Sequence, residues 1–253
     1  MVGRLQDKVC IITGTGSGMG RAAARIFARE GARVVGCDVN VDTAEATVEQ
    51  VRTEGGEMVS MQPCDLTDPA QCEELVRLAV ETYGQIDVLY NNAAMAYFAW
   101  IEDMTDELWG KNMEEEVSLV FRLCRAAWPY LKQRGGSIVN VASMSGWVMM
   151  KDVPQIAHST AKGAILSMTR HLAMEGGPHG IRANSVSPGS IETAQTRKFL
   201  EDPAILESAQ DRAMLHRVGR ADEVANAALF LASDEASYIT AADLLVDGGV
   251  TAW

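Results

Sequence analysis

The sequence predicts an α/β chain organised on a parallel sheet, and three observations carry the prediction. Short apolar, β-branched runs alternate with longer amphipathic helical patterns from end to end. The first run, Val9-Cys10-Ile11-Ile12, leads into Thr13-Gly14-Thr15-Gly16-Ser17-Gly18-Met19-Gly20, and a helical pattern from Arg21 to Glu30 follows at once. Glycines in a strand–turn–helix context let the backbone approach a pyrophosphate, which the N–H groups of the first helical turn then face. The loop therefore predicts a nucleotide site.

The remaining elements follow in order. A second strand is predicted over Arg33 to Asp38, and a helix over Val41 to Glu54, closed by Gly55-Gly56. Met58 to Pro63 reads as the third strand. Asp68-Pro69 opens the next helix, with Asp as N-cap and Pro at the first helical position. Val88 to Asn91 is the fourth strand, and a long helix runs from Thr105 to Arg134. Ser137 to Val141 is the fifth strand, and His158 to Glu175 the following helix, stopped by Gly176-Gly177-Pro178. Arg182 to Ser187 is the sixth strand, followed by an irregular stretch from Pro188 to Arg220. A short helix over Asp222 to Ala232 precedes a seventh strand at Leu244 to Val246. Strands joined by helices imply right-handed crossovers. Linkers, repeats and low-complexity segments are absent, so residues 1–253 read as one domain.

Composition narrows the function. With 253 residues the chain can hold one sizeable core. A net charge of -12 argues against nucleic acid, whose affinity rests on Lys and Arg contacts to phosphate. The five cysteines (10, 37, 64, 72, 124) form no C-x-x-C pair and read as buried, reduced thiols. The four histidines (158, 171, 179, 216) show no metal-ligand spacing, so no metal is expected. The N-terminus lacks an apolar targeting core and no apolar run is long enough to span a bilayer, which reads as a cytoplasmic protein with no membrane partner.

Asp38 stands at the end of the second strand, eighteen residues past Gly20. An acid there accepts hydrogen bonds from the adenosine ribose hydroxyls and repels a 2′-phosphate, which selects NAD over NADP. No Arg or Lys lies within the glycine loop or just after Asp38.

Several further stretches fit one family. The glycine loop, Asp65 after the third strand, Asn91-Asn92-Ala93-Ala94, Ser143 after the fifth strand, Pro188-Gly189-x-x-x-Thr193 and Val246-Asp247-Gly248-Gly249 together resemble the short-chain dehydrogenase/reductases over essentially the whole chain. The resemblance implies a Rossmann-type, doubly wound sheet of seven parallel strands with helices on both faces, and an oxidoreductase that acts on a small molecule with NAD(H). It implies cofactor contacts from Gly14, Gly16, Ser17, Gly18, Met19, Gly20, Asp38, Asp65, Leu66, Asn92, Ala93, Lys162, Pro188, Gly189, Ile191 and Thr193. Asp65 would contact adenine, Asn91 would stabilise the sheet beside the cofactor, Thr193 would hold the nicotinamide carboxamide, and Ser143 would hydrogen-bond the reacting oxygen. It also implies a homotetramer, with the terminal Trp253 near a neighbouring subunit.

Two positions depart from that family. Its acid/base Tyr stands four residues before a Lys, whereas this chain reads His158-Ser159-Thr160-Ala161-Lys162. The family's Asn seven residues past a Trp like Trp109 falls here on Glu116, with Asn112 a helical turn early. Positions 158 and 162 share one helix face. An ordinary imidazole titrates near ~6.5, already suited to proton transfer at neutral pH. His158 is therefore expected to take a hydroxyl proton as hydride leaves an alcohol, and to return it during carbonyl reduction. The catalytic set is Ser143, His158, Lys162 and Glu116. A capping role for His158, and a solvated face for Glu114-Glu115-Glu116, are the competing readings.

Three segments should rim the substrate pocket: Ala94 to Ile101, Met144 to Met150 and Ser190 to Arg217. The first two are rich in aromatics and Met, which suits a bulky apolar alcohol or ketone, although packing of a lid or subunit interface would use the same residues. An NAD-retaining, redox-neutral enzyme (epimerase or lyase) and a non-catalytic NAD-binding protein also fit the motifs.

Overall fold

The computed structural model describes residues 3–151 and 153–253. Its first half builds β1 (Val9–Thr13), α1 (Gly18–Arg29), β2 (Arg33–Cys37), α2 (Val41–Thr53), β3 (Glu57–Met61), α3 (Pro69–Tyr83) and β4 (Val88–Asn91). The second half builds α4 (Asp106–Met113), a π-helical turn (Glu114–Ser118), α5 (Leu119–Arg134), β5 (Gly136–Val141), α6 (Ile156–Gly176) and β6 (Ile181–Pro188). It ends with β7 (Ile191–Glu192), α7 (Arg197–Leu200), α8 (Pro203–Arg212), β8 (Gly219–Arg220), α9 (Ala221–Ala232) and β9 (Asp243–Val246).

The seven-stranded sheet runs in the order β3-β2-β1-β4-β5-β6-β9, and every pairing is parallel. Both faces are covered, and β1 shows how. Cys10 and Ile12 face the layer that holds Phe27 of α1 and Val224 and Leu229 of α9. Val9 and Ile11 face Leu75 of α3, Leu123 of α5 and Ile165 of α6. Apolar residues at successive positions are what a strand buried on both faces requires.

Local chemistry sets the ends of the helices. Asp68 caps α3 by accepting the Ala70 N–H at 2.9 Å, with Pro69 in the first turn. Asn40 caps α2 through the Thr43 N–H at 3.0 Å.

Three expectations are corrected. The stretch from 188 to 220 is not irregular: it carries α7, α8 and a small parallel ribbon, β7–β8. The α7, β7 and β8 elements are too short for a period to register in the sequence, whereas α8 opens on Asp202-Pro203, the same cap signature as α3. The long helix from 105 to 134 is interrupted by the π turn. His158 is not the first residue of its helix, because α6 begins two residues earlier at Ile156. Among the described residues no helix is long and apolar enough to cross a membrane.

Candidate active site

The strand order reverses direction between β1 and β4, and ligands of doubly wound sheets bind beyond the strand ends at such a point. A cleft of about 660 Å³ lies there. Of the residues expected to hold the cofactor, all but Gly16 and Gly20 line it.

Those two glycines shape the loop from behind. A Cβ on Gly20 would lie 2.0 Å from the Gly14 carbonyl oxygen, and one on Gly16 would lie 2.7 Å from Asp38 Oδ2. Gly14 and Gly18 adopt φ of 71° and 51°, a left-handed conformation that favours glycine. Ser17 starts α1 without a side-chain cap, and no acidic residue occupies the first turn. The opening N–H groups of α1 are thus left for an anion in the cleft.

At the end of the cleft beside β2, Asp38 is preset by its backbone. Oδ2 accepts the Gly16 N–H at 2.7 Å and Oδ1 the Asn40 N–H at 2.9 Å. Arg21, next to the loop in sequence, is committed elsewhere: its guanidinium donates to the Gly16 and Thr43 carbonyls and to Thr47 Oγ1 at 2.9 Å. Asp65 uses Oδ1 to hold the Thr67 N–H and hydroxyl. Cys37 and Cys64 also line this end, and a hydrogen bond donated to Cys64, together with burial, pushes the Cys37 thiol up.

In the middle, Asn92 donates from Nδ2 to the Thr13 carbonyl at 2.9 Å, while its Oδ1 is buried without a protein partner. Asn91 ties β4 to β5 through Asn140 at 2.8 Å, and Asn140 donates onward to Thr169 of α6 at 2.9 Å. The segment after β6 folds over the loop, with Thr193 beside Gly18 and locked to Thr196. A cradle that a Cβ would fill, an uncapped helix start and an orphaned amide oxygen all fit a dinucleotide.

The far end brings Ser143, His158, Lys162 and Glu116 to one wall. Ser143 Oγ accepts only the Ser145 N–H, at 3.1 Å, which leaves its proton free to donate. Glu116 is 1% exposed, with Oε1 and Oε2 lying 2.8 and 3.1 Å from His158 Nδ1. Lys162 is also buried; Nζ donates to the Val141 carbonyl at 3.1 Å and lies 3.4 Å from Glu116 Oε1.

A solvated face for the three glutamates is overturned. The π turn sends them to three different partners: Glu114 pairs with Arg122, Glu115 accepts the Tyr97 hydroxyl at 2.9 Å, and Glu116 meets His158. Asn112 does not substitute for Glu116. It is buried against the backbone of Tyr97, accepting its N–H at 3.2 Å and donating to its carbonyl at 3.0 Å. Thr196, within the segment expected to rim the pocket, lines the cleft, and so do Thr43 and Glu115, which lie outside the expected segments. The Asn40-x-x-Thr43 cap was the one readable sign of them. Among the described residues no cluster of His, Cys, Asp or Glu could hold a metal ion.

Comparison with known proteins agrees with this geometry. A family model described as enoyl-(acyl carrier protein) reductase matches residues 14–251. The chain is 39% identical to the 3-oxoacyl-[acyl-carrier-protein] reductase FabG of Thermotoga maritima, over 98% of this chain and 99% of that protein. It is 36% identical to the 2,5-dichloro-2,5-cyclohexadiene-1,4-diol dehydrogenase LinX of Sphingobium indicum, with 98% of both chains covered. The crystal structure of a putative short-chain dehydrogenase/reductase from Burkholderia xenovorans superposes with a TM-score of 0.95, at 36% identity and 99% coverage of both chains. The chain belongs to the short-chain dehydrogenase/reductase family, whose members use a nicotinamide cofactor to interconvert CH–OH and C=O groups.

Proposed function

We propose that the chain is an NAD(H)-dependent oxidoreductase that interconverts a secondary alcohol and a ketone, with His158 in the acid/base position that a Tyr normally fills in this family. The observation that carries the reading is the convergence of the Ser143 hydroxyl, the His158 imidazole and the Lys162 ammonium on the cleft that the glycine loop opens. NAD, when bound, supplies the hydride acceptor. Ser143 donates a hydrogen bond to the substrate oxygen and orients it. During oxidation His158 Nε2 takes the hydroxyl proton, and during reduction the imidazolium returns a proton to the carbonyl oxygen. Lys162, held by the Val141 carbonyl and Glu116, stands one helical turn from His158 on the same cleft.

The preset Asp38 carboxylate and the committed Arg21 favour NAD over NADP. Of the segments expected to rim the pocket, Ala94 to Ala96 and Ile191 with Thr193 to Thr196 line the cleft, whereas Met144 to Met150 do not; the exposed apolar rings of Phe98 and Trp100 in the first segment favour a bulky, apolar, cyclic substrate, in keeping with the cyclic diol named for the Sphingobium relative. On the same reading the whole chain acts as one domain, in the cytoplasm, and as a homotetramer.

The test is a steady-state comparison of wild type and His158→Ala on a panel of cyclic secondary alcohols with NAD. Loss of the imidazole should lower kcat by roughly 10²–10⁴ while NAD still binds. Equal turnover in the two proteins would remove His158 from the mechanism.

A further inference from the structure

Resting on the reading of His158 as the acid/base, we infer that Glu116 is its positioning residue. The carboxylate fixes the ring in the Nδ1-protonated tautomer and balances the charge when Nε2 takes a proton, so the two residues work as a coupled pair.

The geometry supports each part. An ionised carboxylate is acceptor-only, so at 2.8 and 3.1 Å from Nδ1 it dictates that this nitrogen carries the proton. The lone pair then resides on Nε2, which has no protein partner among the described residues. The Phe98 ring, 5.9 Å away and tilted by 58°, packs against the imidazole. Held at one edge by Glu116 and packed against Phe98, the ring lines the cleft with Nε2 as the nitrogen left for a substrate.

Charge accounts for the pairing. Glu116 and Lys162 form a buried pair with no net charge, at 3.4 Å. An imidazole base starts neutral and becomes a cation, and that cation forms against the Glu116 carboxylate. A phenol in the same place could act as base only as a phenolate, an anion that would have the same carboxylate as a repulsive neighbour before it takes the proton. The other ionisable groups near the ring are Glu115, which lines the same cleft, and Tyr97, which is bonded to it. The buried carboxylate therefore suits a His at position 158 and opposes a Tyr.

A purely structural Glu116, present only to neutralise Lys162, predicts something different, and a double-mutant cycle separates the two. The proteins are wild type, Glu116→Gln, His158→Tyr and the double variant, each assayed with NAD and one cyclic secondary alcohol. NAD affinity and Tm serve as folding controls. Glu116→Gln keeps the volume but offers one acceptor oxygen to two donors. It should lower kcat by roughly 10–10² while leaving the KM for NAD within about twofold. The double variant should exceed His158→Tyr alone in kcat by about tenfold, because the opposing charge has gone. In ring ¹⁵N NMR of the wild-type holoenzyme, His158 should show a protonated Nδ1, and Glu116→Gln should show a mixture of tautomers. Multiplicative single effects, or an unchanged ¹⁵N spectrum in Glu116→Gln, overturn the pairing. A fully active His158→Ala enzyme would instead overturn the acid/base assignment beneath it, so the two failures are distinguishable.

Discussion

Cofactor choice can be worked through from Asp38. The perturbation is Asp38→Ser, which keeps a small polar side chain and removes the charge. The carboxylate is half-buried and accepts two backbone N–H groups, at 2.7 and 2.9 Å, so its position is set before the cofactor arrives. Hydrogen bonds to a charged acceptor contribute about 1.5–3 kcal/mol each. Losing one such bond to a ribose hydroxyl should therefore weaken NAD by roughly 10–100-fold. A 2′-phosphate about 4 Å from the carboxylate meets a repulsion of about 4 kcal/mol per pair of unit charges near a protein surface. Screening at ordinary ionic strength leaves ~2–4 kcal/mol, so NADP should gain roughly 30–10³-fold from the substitution. The assay is the ratio of kcat/KM for NAD to that for NADP, at fixed salt, in both proteins. A wild-type ratio near unity, or one that Asp38→Ser does not move, would refute the reasoning.

Two other expectations come from elsewhere in the chain. All five cysteines are free and buried, and desolvation pushes the Cys72 and Cys124 thiols up to about 12; a maleimide at about pH 8 should label the native protein slowly and all five thiols promptly in denaturant, against an unperturbed thiol value near ~8.5. The Arg217 guanidinium, gripping both oxygens of Glu223 at 2.6 and 2.9 Å, holds that carboxyl down to about 2. A depressed folded value means that the contribution to stability is present above the ordinary ~4.3 and lost as pH falls toward about 2. Because the pair is solvent-facing, the effect should be small and salt-dependent. Tm of Glu223→Gln should fall less than that of wild type over that acid range, and identical acid limbs would contradict it.

The fold was legible because its signals are local. Val9 to Ile12 entering a glycine turn, Asp68-Pro69 opening α3 and the apolar run at Val88 to Asn91 each state their own structure, and the alternation of strands with helices predicts the parallel pairing. The glycine-loop half of the cleft was legible because Gly14 to Gly20 form one contiguous motif, whereas the bond from the Gly16 N–H to the Asp38 carboxylate, at 2.7 Å, joins residues far apart in the sequence. The reacting half was only partly so. Three consecutive glutamates read as a charge run because a regular helix places neighbours about 100° apart on a solvated surface. The π turn over Glu114–Ser118, which no propensity announces, is what turns Glu116 alone toward His158. Asn112 was ambiguous for a related reason: its partner is the backbone of Tyr97, fifteen residues away, and backbone partners leave no mark in a sequence.

The most direct measurement is a crystal structure of the complex with NADH and a non-reactive ketone analogue. The account predicts that the analogue's oxygen lies within about 2.6–3.2 Å of both Ser143 Oγ and His158 Nε2, with Glu116 still on Nδ1. An imidazole turned away, with another titratable side chain on that oxygen, would leave the cofactor cleft in place and remove His158 from the chemistry.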